Sequence, residues 1–68
     1  MRLVDNAYLT GRILKALKIQ GFDVTADELN EFVTYGSLGE SVIGEDYDEA
    51  RDGAIQQICD EYGIEVGA

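Results

Sequence analysis

The segment Gly-Phe-Asp-Val-Thr-Ala-Asp-Glu, residues 21–28, carries the signals that end one helix and begin another. Glycine adopts the left-handed backbone that commonly follows a helix, and an apolar residue directly after it often contacts the last turn. Gly21 and Phe22 therefore predict a helix end. Thr25 and Glu28 fit the capping box, in which each side chain bonds the backbone N–H of the other residue. The segment predicts two helices joined by a short turn.

Apolar residues recur at helical spacing before this turn, after it and again further along the chain. We predict a first helix over about 5–20, capped by Asp5 or Asn6, a second over about 25–36 and a third over about 46–63. The sequence therefore predicts an all-α fold, a compact three-helix domain.

Each predicted helix has one apolar face. In the first helix this face holds Leu3, Thr10, Ile13, Leu14 and Leu17, flanked by Leu9 and Ala16. In the second it holds Ala26, Leu29, Phe32 and Val33, and in the third Tyr47, Ala50, Ala54, Ile55, Ile58 and Tyr62. The packing of these faces predicts a core made of Leu14, Leu17, Leu29, Phe32, Ile55 and Ile58.

The connection between the second and third helices, residues 36–45, is rich in glycine. A Ser-Leu-Gly-Glu stretch within it fits a weaker capping box, so one extra short helical turn over 38–43, packed by Val42 and Ile43, is an alternative to a loop. Asp46 is predicted to cap the third helix, because aspartate accepts hydrogen bonds from the first N–H groups of a helix.

One short pattern occurs twice, each time after a predicted helix. Residues 21–24 and 63–66 share the order glycine, apolar residue, acid, valine. Two similar helix caps are the preferred interpretation, with a short extended C-terminal segment after the second cap. A two-stranded ribbon that ties the C-terminus to the first turn is the alternative, although so short a ribbon is marginal by itself.

Acidic residues dominate the charge of what we predict to be a single small domain, residues 1–68. Fourteen acids face five bases, for a formal net charge of −9. Through Lys18 four bases face one acid, whereas from Ile19 onward thirteen acids face Arg51 alone. Such a surface repels nucleic acids and membranes and attracts basic proteins. Solubility, or a halophilic host, is the alternative explanation of the same bias.

The short chain lacks the usual means of stabilising a marginal core. The chain has one cysteine, Cys59, so we expect no disulfide within it. Because the chain also has no histidine, we expect no metal and no cofactor. Self-association, such as a homodimer, or folding assisted by a partner is therefore predicted. No apolar stretch is long enough to span a membrane, and a lone thiol suits a reducing compartment, so we expect a cytoplasmic protein.

The residue inventory argues against catalysis. Nucleophiles lack a histidine as their base, and no glycine-rich loop precedes a phosphate-binding lysine. Cys59 is expected to pack in the core, because its acidic neighbour Asp60 disfavours a thiolate. A calcium loop over 48–59 would have Ala50 and Cys59 at two ligand positions, so helix periodicity explains these residues better.

The acids of the third helix form the sharper candidate for a binding site. Glu45, Glu49, Asp52, Gln56 and Asp60, which we call the acidic row, follow one another at helical spacing. Side chains in such a row stand about 5–6 Å apart, close to the roughly 6–7 Å between phosphates of one nucleic-acid strand. The predicted partner-binding residues on the third helix are Glu45, Asp48, Glu49, Asp52 and Asp60. Asp27 and Glu31 extend the predicted site onto the second helix, and Glu28 could extend the acidic surface there as well. A solvated helix surface is the alternative.

Two basic features need separate explanations. Arg51 projects on the apolar side of the third helix, so we expect its stem to lie along the core while its head reaches an acid or stacks on Tyr47. A contact surface is the alternative for Arg51. Lys15 and Lys18 form a patch too small to bind nucleic acid against this net charge, and they are predicted to pair with acids of this chain or of a neighbour.

Residues 13–33, with the core Gly-Phe-Asp-Val-Thr-x-x-Glu-Leu, are similar to the helix-turn-helix of many small bacterial and leader-peptide domains. This likeness covers under a third of the chain and consists mostly of a helix stop and start, so it implies no function. In its general character, a very small acidic single domain, the chain resembles phage and mobile-element inhibitors of host nucleic-acid enzymes, including anti-CRISPR proteins and DNA mimics.

These observations favour a non-enzymatic binder that presents its acidic face to a basic, nucleic-acid-handling protein and inhibits it, without binding nucleic acid or membrane directly. The alternative is a structural, adaptor or antitoxin-like module that works through apolar helix contacts and self-association. A sequence-reading regulator ranks third, because no helix after the first is basic. A charge-driven complex weakens steeply with salt, whereas an apolar interface does not.

Overall fold

Three α-helices and one short 3-10 helix make up the regular structure of residues 2–67. The computed structural model describes residues 2–67, with the 3-10 helix at Leu3–Asp5, α1 at Ala7–Ile19, α2 at Ala26–Tyr35 and α3 at Glu45–Glu61. No β-strand occurs among these residues. The predicted all-α, three-helix fold is confirmed.

The start of α1 is fixed by two hydrogen bonds between a polar side chain and the backbone. The side chain of Asn6 accepts a hydrogen bond from the N–H of Leu9 at 3.1 Å, so Asn6, one of the two predicted caps, is the N-cap. The hydroxyl of Thr10 donates to the carbonyl of Leu3 at 2.6 Å, and both residues are buried. This second bond ties the 3-10 helix to α1.

The turn between α1 and α2 has the two caps that its sequence predicts. Gly21 has a φ of 96°, and the N–H of Phe22 bonds the carbonyl of Leu17 at 3.0 Å, as in a Schellman cap. At the start of α2, the hydroxyl of Thr25 accepts from the N–H of Glu28 at 3.1 Å. The carboxylate of Glu28 accepts from the N–H of Thr25 at 3.2 Å, which completes the capping box.

The repeated pattern at residues 63–66 is a second helix cap. Gly63 has a φ of 72°, and the N–H of Ile64 bonds the carbonyl of Cys59 at 2.8 Å. The chain then returns to α2, where the N–H of Gly67 bonds the carbonyl of Val33 at 2.9 Å. The preferred cap interpretation holds, and the alternative ribbon with the first turn is wrong, because these last residues bond α2 instead.

The third helix begins one residue earlier than predicted, and its N-cap is Gly44 instead of Asp46. Gly44 has a φ of 127°, a backbone conformation that favours glycine, and its carbonyl accepts from the N–H of Asp48 at 3.1 Å. Asp46 lies in the first turn beside Glu45, where a negative charge faces the positive end of the helix dipole.

The connection from α2 to α3 contains no helical turn, so the alternative that predicted one over 38–43 is wrong. Gly39, with a φ of 78°, and Gly44 turn the backbone out of the right-handed helical region on either side of a short stretch. Val42 and Ile43 are exposed and do not pack against the core. Leu38 is the residue of this segment that packs there, as a partly buried neighbour of the core.

Both α2 and α3 pack on α1, with little direct contact between them. Of the six predicted core residues, Leu14 is only partly buried and the other five are buried. The core also includes Leu3, Ile13, Val24, Ala54 and Cys59.

Two of the six residues predicted on the inner face of α3, Ala50 and Tyr62, are exposed. The prediction is wrong for Ala50 because a charged pair, Asp48 and Arg51, points inward in the same turns. Tyr62 lies just after α3, as its C-cap residue. None of the helices described is long and apolar enough to cross a membrane.

Truncation of Leu17 to alanine should lower the free energy of unfolding by about 2–5 kcal/mol, because the side chain is fully buried and its loss leaves a cavity. Ile19→Ala is the matched control, since Ile19 is 78% exposed on the same helix. Its effect should stay within about 0.5 kcal/mol. Urea unfolding followed by circular dichroism measures both variants, and equal losses would show that α1 packs through a different face.

Candidate partner-binding surface

The acidic row runs along the outer side of α3, and most of it faces solvent. Glu45, Glu49 and Asp60 are exposed, and Gln56 donates a hydrogen bond to the carboxylate of Asp60 at 3.0 Å. With a rise of about 1.5 Å per residue, the row extends over roughly 22 Å. Asp52 is half-buried and is the member of the row that bonds inward.

The N-terminal half of the row shares an open groove with the loop that precedes α3. This groove has a volume of about 420 Å³, and its acidic lining residues are Glu40, Glu45, Asp46, Asp48, Glu49 and Asp52. Glu40 and Asp46 belong to this surface although the sequence did not predict them as binding residues. The position of Glu40 is hard to predict from local sequence, because it lies in a loop whose path depends on contacts with residues distant in the chain.

Asp48, predicted as a partner-binding residue, is buried, so its assignment to the exposed surface is wrong. One carboxylate oxygen, Oδ2, accepts a hydrogen bond from the backbone N–H of Ser41 at 2.8 Å. The other, Oδ1, is fully enclosed, accepts no hydrogen bond and lies 3.3 Å from Nη1 of Arg51. The side chain therefore binds its own loop and helix and is not available to a partner.

Arg51 is buried and contacts Asp48, Asp52 and the loop before α3. Its Nη1 faces Asp48, its Nε donates to Asp52 at 3.1 Å, and its Nη2 donates to the carbonyl of Gly39 at 2.9 Å. The guanidinium carbon also lies 6.0 Å from the ring centre of Tyr47. The prediction that Arg51 reaches an acid and stacks on Tyr47 is confirmed, and the alternative of a contact surface is wrong because Arg51 is buried.

We refer to Arg51, Asp48 and the backbone of Gly39 and Ser41 as the clamp. Its two charged side chains project from one helix and bond two backbone groups of one loop. The pKa of Asp48 is lowered, chiefly by hydrogen bonding from the side chain and backbone of Ser41, with a smaller contribution from the charge of Arg51. Burial opposes this shift without cancelling it.

The two predicted acids of α2 belong to a different part of the surface. Asp27 and Glu31 are exposed, and they line a second groove together with Arg2, Thr34 and Tyr35. This groove lies on α2, whereas the groove described above is built from α3 and its preceding loop. The structure therefore separates Asp27 and Glu31 from the N-terminal half of the acidic row.

The outer face of α1 carries the basic patch. Lys15 and Lys18 are exposed, and the ion pairs found within residues 2–67 both belong to Arg51. The predicted pairing of these lysines with acids of the second or third helix of the same chain is therefore wrong, and pairing with acids of a neighbour stays a prediction. Arg12 donates to the hydroxyl of Tyr8 at 3.0 Å, and the tyrosines Tyr62 and Tyr8 raise its pKa.

Cys59 packs in the core, as predicted. The residue is fully buried, and burial raises the pKa of its thiol, with the charge of Asp60 adding to the shift. Residues 48–59 form a continuous part of α3, so the calcium-loop alternative is wrong. Among residues 2–67, no three acidic or cysteine side chains come together as a metal-binding group.

Comparison of the chain with models of known protein families, with curated proteins and with solved structures found no match.

Substitution of Asp48 by asparagine should destabilise the fold at neutral pH. Because the folded state lowers the pKa of this carboxyl, the carboxylate stabilises the fold above its unfolded pKa of about 3.9, and this contribution disappears as the pH falls through the lower, folded-state pKa. The difference in free energy of unfolding between wild type and Asp48→Asn should therefore shrink below about pH 4.

Urea unfolding at a series of pH values measures this difference. Glu49→Gln is the matched control, because it removes the same charge from an exposed site on the next residue of α3. A constant difference between wild type and Asp48→Asn from neutral to acidic pH would contradict the role given to the ionised carboxylate.

Proposed function

We propose that this chain is a non-enzymatic binding protein that places the acidic surface of α3 and its preceding loop on a basic surface of a nucleic-acid-handling protein and thereby inhibits it. The observation that carries the proposal concerns Arg51. It is the one basic residue from Ile19 onward, and it is buried. The exposed acids of this long region therefore have no base from the same region beside them, and their field extends outward.

The geometry of the acidic surface supports a partner that normally holds a phosphate backbone. Glu45 and Glu49 are one helical turn apart, about 5–6 Å. Asp60 lies on the same face eleven residues further along, roughly 16 Å along the helix axis. Glu40 and Asp46 add two carboxylates beside the row. Lysine and arginine side chains that are spaced to neutralise successive phosphates suit such an arrangement.

The clamp supports the same proposal through preorganisation. A loop that is already fixed in the free protein loses less conformational freedom on binding, so more of the interaction energy appears as affinity. Since the clamp bonds the loop at Gly39 and at Ser41, the position of Glu40 between them is set before any partner arrives.

A cytoplasmic inhibitor that mimics DNA, of the kind that phages and mobile elements direct at host enzymes, including anti-CRISPR proteins, matches this chemistry. The likeness consists of small size, acidity and a helical fold. The protein would act by occupying the site of the nucleic acid, so it would need neither a cofactor nor nucleic acid of its own.

The exposed face of α1 favours a second candidate function. Tyr8 and Ile19 are 73% and 78% exposed, and Ile19 lines a groove with Arg12, Lys15 and Tyr62. Tyrosine and arginine are common at the centres of protein interfaces. Through this face the chain would be an adaptor or antitoxin-like module, or would form a homodimer, and its complexes would resist salt.

Displacement of DNA tests the proposed inhibition. Labelled duplex DNA is bound to three basic nucleic-acid-handling proteins of unrelated fold: a histone-like DNA-bending protein, a restriction endonuclease and a Cas9–guide complex. Fluorescence anisotropy then follows the addition of this protein. We expect displacement from at least one of them at low salt, with an apparent affinity that falls steeply as salt is raised.

The triple variant Glu45→Gln, Glu49→Gln, Asp60→Asn should bind roughly tenfold more weakly, since exposed ion pairs contribute about 0.2–1 kcal/mol each. Asp52 is left unchanged because it bonds Arg51. The control variant Asp5→Asn, Asp23→Asn, Glu61→Gln removes the same charge from exposed sites off the row. Equal weakening in both variants, or no displacement from any of the three proteins, would contradict the proposal.

A further inference from the structure

The loop before α3 exposes two adjacent aliphatic side chains. Val42 is fully exposed and Ile43 is 66% exposed, and we call this pair the tip. Of the large exposed apolar side chains in the described part of the chain, these two are the ones adjacent in sequence. Acids stand on both sides of the tip, with Glu40 before it and Glu45 and Asp46 after it.

The tip is held in this exposed position by bonds to the rest of the protein. Arg51 bonds the carbonyl of Gly39, and Asp48 bonds the N–H of Ser41, immediately before Val42. The N–H of Ile43 bonds the hydroxyl oxygen of Ser41 at 3.2 Å. Because these bonds fix the backbone on the N-terminal side of the tip and Gly44 begins α3 on the other, the two side chains cannot turn inward to the core.

An apolar centre with a charged rim is the composition of a protein interface. Two aliphatic side chains that a fixed loop exposes to water lower the solubility of the protein. A partner that covers the tip removes this disadvantage. We propose that Val42 and Ile43 are the apolar anchor of the partner interface, and that they enter an apolar pocket of a partner protein whose rim carries lysine or arginine. This inference rests on the proposed function, from which it takes the basic charge of the partner. The apolar pocket of the partner is the new element.

The charges around the tip decide what kind of partner occupies it. Glu40, Glu45 and Asp46 would repel a second acidic copy of this chain at the same place, and they would pair with a basic rim. Membrane lipid is disfavoured for the same reason, because the acids next to the tip face an anionic headgroup layer. A basic protein with an apolar pocket fits both properties of the loop.

Two short synthetic peptides of equal length and equal lysine content serve as probes. One alternates lysine with leucine and the other alternates lysine with serine, and fluorescence anisotropy measures their affinities. The lysine–serine peptide tests attraction by charge alone. We expect the lysine–leucine peptide to bind wild type at least about tenfold more tightly, because only it can cover the tip.

The variant Val42→Ser, Ile43→Ser should lose this preference while it still binds the lysine–serine peptide as wild type does. Its thermal melt should match that of wild type, since both side chains are exposed, and Val42→Thr with Ile43→Thr is a second variant that preserves branching. The control Ile19→Ser, Tyr35→Ser removes two apolar side chains that are 78% and 74% exposed elsewhere, and it should keep the preference.

Loss of the preference in the control variant, or its persistence in both tip variants, would overturn the anchor. Sedimentation of the protein alone adds a further test, because a wild-type dimer that the tip variants convert to monomer would make a second copy the occupant and would also overturn the inference. The proposed function fails separately, through absence of DNA displacement or through failure of the lysine–serine peptide to bind.

Discussion

The contact between Arg51 and Asp48 is the interaction on which the candidate surface depends. Both residues lie on the inward side of α3, and together they bond two backbone groups of the glycine-rich loop. A buried ion pair offers little net stability over an apolar pair, because both charges lose water. Here the ion pair fixes the backbone of a loop whose glycines would otherwise permit many conformations.

The same contact determines the electrostatics of the surface. In a region of thirteen acids, the single base is buried, and its one positive charge faces two carboxylates, those of Asp48 and Asp52. The acids that remain outside repel one another, which costs stability in a chain this small. A basic partner would relieve that repulsion on binding. The burial of Arg51 therefore contributes both to the packing of the fold and to the acidic surface proposed for recognition.

Local signals made the helices predictable, whereas the loop and the site required tertiary contacts. The caps at Gly21, Thr25 and Gly63 depend on residues within one turn of the chain, so the sequence identifies them directly. Periodicity assigns charged residues to the outside, and this rule failed for Asp48 because its partner Arg51 points inward with it. The path of residues 39–44 depends on that pair, so neither the start of α3 at Glu45 nor the exposure of Val42 could be derived from local sequence.

Hydrogen exchange at the amide of Ser41 tests most directly whether the clamp fixes the loop. This N–H bonds the buried carboxylate of Asp48, whereas the N–H of Val42 has no hydrogen-bond partner among the residues described. NMR-detected exchange in the wild-type protein should show the Ser41 amide protected at least about a hundredfold more than that of Val42, near the protection of amides inside α3. Exchange of both loop amides at the rate of an unfolded chain would contradict the clamp, and with it the fixed acidic surface.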